Sequence, residues 1–94
     1  MVIRSANRHD CERCIQLLQQ LWAPEYELDS IQESKLAPEK LHELYECILD
    51  NTNCEVMVAE KDEKVVAMMD LSFRETFFHC GWTMLIEDLV VEEE

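Results

Sequence analysis

An apolar run from Thr83 to Val91 is interrupted by two adjacent acids, Glu87 and Asp88. A carboxylate beside a partly desolvated strand can take a proton from a reacting group, directly or through water, which makes Glu87 a candidate general base. Adjacent strand residues face opposite sides, so Glu87 and Asp88 share one pocket only if a bulge intervenes. The competing readings are structural: Glu87 as a charge that blunts a strand edge, and Asp88 as a side chain bonding backbone groups near the helices. Cys11-x-x-Cys14, with His9 close by, invites a zinc or redox reading. A metal site needs a second close-spaced pair, and Cys47, Cys54 and Cys80 are single. On a helix, positions 11 and 14 share one face and continue the stripe of Ile15 and Leu18, so the expectation is buried thiols and no metal, with a thiol activated at the helix N-terminus as the lesser option. Trp22, Tyr26, Phe73, Phe77, Phe78 and Trp82 could line a pocket but are expected mainly to pack the core. His42 and His79 stand alone, with no Ser/His/Asp order or repeated His spacing, and are expected at the surface or as caps.

These residues need elements to hold them. Val2 to Ser5 starts a first strand (about 2–6), and Asp10 offers a side-chain oxygen as the N-cap of a helix (about 10–22) whose Cys14, Ile15, Leu18, Leu21 and Trp22 recur at helical spacing. Pro24 is expected to stop it, and Glu25 to Leu36 reads as a mobile acidic loop. Pro38 suits the first turn of a second helix (about 38–50), where Leu41, Leu44, Tyr45 and Ile48 repeat the same period. The period then changes to that of strands. Residues 54–61 and 64–74 form a hairpin around Lys61-Asp62-Glu63-Lys64, and a break from Arg74 to Gly81 leads to a last strand at about 82–91. The fold class is α+β, in the order β-α-α-β-β-β.

The chain has 94 residues, with 8 basic against 21 acidic side chains and a formal charge of −13. That length allows one small domain with a thin core. With 48% hydrophobic residues it passes the composition of a disordered acidic tail and can fold. The negative field argues against nucleic acid and anionic membranes as partners, because phosphate binding depends on clustered Lys and Arg. It leans toward cations (amines, polyamines or basic peptides), with surface acid that simply keeps a small protein soluble as the equal alternative. No segment resembles a leader or a membrane span, and five cysteines are an odd number, so the expectation is a cytoplasmic protein with reduced thiols.

Ile3-Arg4-Ser5-Ala6, Asp10, Val56-Met57-Val58-Ala59-Glu60, Val65-Val66-Ala67 and the strand Ile86-Glu87-Asp88-Leu89-Val90-Val91 together resemble the N-terminal part of the GNAT superfamily of N-acetyltransferases. The resemblance implies an acyl-CoA N-acyltransferase fold half, with acetyl-CoA as cofactor and a small-molecule amine as acceptor. It implies Glu87 as general base, Asp88 and the region of Tyr26 at the substrate, and the backbone of Leu89 and Val91 pairing with the pantetheine arm. The family's Arg/Gln-x-x-Gly-x-Gly/Ala loop, which cradles the cofactor's pyrophosphate, would follow the last strand. The sequence stops at Glu94, and its one glycine, Gly81, precedes that strand. The expectation is therefore an acetyltransferase fragment with little activity of its own, or alternatively an inactive binding and assembly module. A long apolar edge at residues 83–91, Val90 included, is further expected to pair with a second copy as a homodimer.

Overall fold

The computed structural model describes residues 1–26 and 38–92. The chain runs β1 (Val2–Ser5), a 3-10 turn (Arg8–Asp10), α1 (Cys11–Tyr26), α2 (Pro38–Asp50), β2 (Cys54–Lys61), β3 (Lys64–Thr76) and β4 (Gly81–Val91). The strands form one antiparallel sheet in the order β1-β2-β3-β4, with α1 and α2 on one face. The expected acidic loop at residues 25–36 falls almost wholly outside the described residues.

One layer of side chains unites the helices and the sheet: Cys14, Ile15 and Leu17 from α1, Leu41 and Tyr45 from α2, Val56 and Val58 from β2, Val65 and Met68 from β3, and Val90 from β4. The period of 3.6 turns one face of each helix inward, and the period of 2 turns alternate strand residues toward it. Val90 is thus a core residue at 4% exposure, although the sequence placed it on an open edge.

Three boundaries differ from the sequence reading. Asn7, not Asp10, caps the first helical turn, its Oδ1 accepting from the His9 N–H at 2.8 Å. Asp10 is the reciprocal member of that capping box, accepting the Asn7 N–H at 2.9 Å, and Arg4 donates to both of its carboxylate oxygens at 2.7 and 3.0 Å. Helix α1 does not stop at Pro24 but runs through it to Tyr26. The break after Arg74 shrinks to the turn Phe77–Cys80, because β3 continues to Thr76 and β4 begins at Gly81.

The hairpin between β2 and β3 has Asp62 at φ 52° and Glu63 at φ 64°, the two positive angles of a type I′ turn. Glu92, next after β4, is held by two cations: its Oε1 accepts from Arg13 Nη2 and from Lys64 Nζ, both at 2.6 Å, and Arg13 Nε also donates to the Val65 carbonyl at 2.8 Å. These bonds tie α1, the start of β3 and the end of β4 together.

Candidate functional site

The register of β3 and β4 shifts once. Asp70 pairs with Asp88, but the next pair is Leu71 with Ile86, which leaves Glu87 unmatched as a β-bulge. The bulge removes the strict alternation that would send Glu87 and Asp88 to opposite faces. Asp70 and Asp88 both border a cavity beneath the helices, walled by Ile15 and Leu18 of α1, Leu41, Tyr45 and Ile48 of α2, and Met68 of the sheet. Two positions along β3 from Asp70, Ser72 Oγ donates to Glu87 Oε1 at 2.9 Å. Three carboxylates therefore converge at one point of the sheet.

Asp70 is half-buried, and its carboxyl is pushed up to about 6, first by burial and then by the neighbouring acid Asp88, with the charge of Glu87 adding to the effect. The cavity holds about 60 Å³, room for a pair of waters or one small headgroup and no more. Among the described residues its wall is apolar except for the two acids and Tyr45, whose hydroxyl donates to the Asn7 carbonyl at 2.6 Å. Burial pushes the Tyr45 phenol well above its ordinary range, so it stays a neutral donor. Acids in an apolar recess can hold an ammonium group or pass a proton to and from one.

The structure thus brings Glu87 and Asp88 together, and adds Asp70, which sequence reading passed over. Its signal was present: one acid inside the apolar strand Val65-Val66-Ala67-Met68-Met69-Asp70-Leu71. Leu89 and Val91 point to the sheet face away from the helices and are exposed. The Val91 carbonyl accepts from Gln20 Nε2 of α1 at 3.0 Å. The side chains of Tyr26 and Trp22 lie outside the described residues.

The two cysteines of the Cys-x-x-Cys spacing are buried, as the helical stripe requires, and all five cysteines are free. Burial raises both thiols, that of Cys14 to about 11, so neither is activated by its place near the helix N-terminus. His42 is not isolated: its Nδ1 lies 3.2 Å from Cys11 Sγ. Phe77, Phe78 and Trp82 neither pack the core nor line the cavity. They stand exposed on the far end of the β3–β4 hairpin, Phe77 entirely so, because the two long strands outrun the helices.

No protein-family model and no curated protein matches this sequence. Solved structures do resemble it. A possible acetyltransferase from Clostridium difficile superposes with a TM-score of 0.78 at 18% identity, over 98% of this chain and 57% of its own. An aminoglycoside antibiotic 6'-N-acetyltransferase from Acinetobacter haemolyticus gives 0.71 at 18% identity, over 98% and 57%. A transcriptional regulator from Bacillus halodurans gives 0.72 at 23% identity, over 97% and 59%. The likeness shows the fold: this chain has the α+β architecture of the N-terminal part of a GNAT-type acetyltransferase, and it spans under three-fifths of the length of these three proteins.

Proposed function

We propose that this chain is the N-terminal part of a GNAT-type N-acetyltransferase, and that the whole protein transfers an acetyl group from acetyl-CoA to an amine of a small molecule or polyamine. The observation that carries the reading is the bulge at Glu87, which sets that carboxylate beside Asp70 and Asp88 on the helix-covered side of the fourth strand. In this reading Asp88 and Asp70 hold the incoming ammonium group, and Glu87, the most exposed of the three, takes its proton so that the free amine can attack. The net charge of −13 favours approach of a cationic acceptor. In this reading Tyr26 belongs to the region that contacts the acceptor.

The described residues fit one part of acetyl-CoA. Among them β4 is paired on one side alone, by β3, so its backbone at Leu89 and Val91 could take the pantetheine arm as an added strand, with Gln20 giving up or sharing the Val91 carbonyl. They do not supply the pyrophosphate cradle, since Gly81 lies at the opposite end of β4 from Val91. When bound, acetyl-CoA would supply the acyl group.

Turnover of polyamines and small primary amines by the whole protein tests the proposal. Glu87→Gln should lower kcat by about 10²–10⁴-fold with little change in acetyl-CoA binding. Unchanged kcat would remove Glu87 from the role of base, and no turnover of any amine by the unaltered protein would end the acetyltransferase reading. A second reading, an assembly module joined through β4, is favoured by the exposed Trp82, Met84, Leu85, Ile86 and Leu89 on that strand.

A further inference from the structure

Asp70 and Asp88 oppose one another directly across β3 and β4 and border the same cavity. Residues directly opposite in an antiparallel pair have Cβ atoms about 4.5–5.5 Å apart, so the two carboxyls lie within reach of one shared hydrogen bond. An ionised carboxylate only accepts, so that bond requires a proton on one of the two. Among the described residues, none that borders the cavity with Asp70 is basic. Helix α1 presents Ile15 and Leu18, α2 presents Leu44, Tyr45 and Ile48, β2 presents Val56, and β4 adds a further acid, Glu87. Burial, Asp88 and Glu87 all act on Asp70 in one direction, against its charge.

We propose that a proton shared by Asp70 and Asp88 fastens β4 to β3 beneath the helices, and that the sheet loosens there when the proton leaves. The fastening is a pH-dependent latch on the strand that bears the Glu87 bulge, and it stands independently of the acetyltransferase reading because folding, not turnover, reads it out. The sign follows from the two states. Asp70 binds its proton more tightly folded, near 6, than unfolded, near 3.8. Its contribution to stability is then fully present below about pH 3.8 and is lost as the pH rises through about 6.

Urea unfolding of this chain at a series of pH values, compared with Asp70→Asn, tests the latch. Asparagine keeps a donor toward Asp88 but has no proton to lose. Between about pH 4.5 and 7.5 the unaltered chain should lose on the order of tenfold in its folding constant relative to the variant, the value being set below the full shift because Asp70 is only half-buried. Parallel pH profiles would overturn the proposal. Should Asp70→Asn fail to fold, carboxyl-carbon NMR of the unaltered chain decides: a carboxyl titrating near pH 6 at Asp70 or Asp88 upholds the latch, and titration of both below about pH 5 rejects it.

Discussion

Asp10 is the buried charged residue among those described, at 7% exposure, and it meets three donors: both terminal nitrogens of Arg4 and the Asn7 N–H. Arg4 holds the Asp10 carboxyl below the ordinary carboxylate range, with the Asn7 N–H assisting. Asp10→Ala should cost about 2–3 kcal/mol in urea unfolding, since it strips the capping box and leaves Arg4 with Glu60 as its one carboxylate partner among the described residues. This contribution exists above about pH 3.8 and disappears as the pH falls through the lower folded value. Asp70 runs the other way. Two aspartates of one chain thus titrate with opposite signs because one faces an arginine and the other faces an acid, a distinction invisible in the residue type. The sequence marked Asp10 as a cap and left Asp70 unremarked, since a cap is a matter of neighbouring residues and an acid pair across two strands is a matter of register.

At the scale of elements, the hairpin of β2 and β3 was legible from the change of period at Cys54 and the polar Lys61-Asp62-Glu63-Lys64 joint. The turn itself is less favourable than its neighbours. Glu63 sits at φ 64°, a region that a side chain with a Cβ enters only with strain, and type I′ turns prefer Asp-Gly. Glu63→Gly should therefore raise stability by about 0.5–1 kcal/mol, read as a higher urea midpoint at unchanged slope. Helix α2 followed from its period, as did most of α1. The extension of α1 past Pro24 did not, because proline weakens a helix locally while packing elsewhere along the helix can carry it through.

For the molecule as a whole, the open question is what meets β4. We propose that copies of this chain associate antiparallel through the margin of β4 that no described strand pairs, forming one continuous sheet. Val90 is the wrong residue with which to test this: lysine there would enter the core and unfold the chain. Leu89, at 57% exposure, is the better site. In sedimentation, Leu89→Lys should weaken association by about tenfold or more, and added salt should strengthen it by screening the repulsion between chains of charge −13. A chain that stays monomeric at high concentration and high salt would overturn the association. By itself the sequence determined the order of elements, their faces, the burial of Cys11 and Cys14 and the candidacy of Glu87 and Asp88, because these depend on period and on residues near one another in the chain. Only the tertiary structure decided that Asp70 joins those acids, that Glu87 bulges toward them, that Val90 is core and that Phe77 and Phe78 stand in the open. Those facts depend on which residues of separate strands come opposite each other and on how far the helices reach, and a single bulge is enough to change both the register and the face.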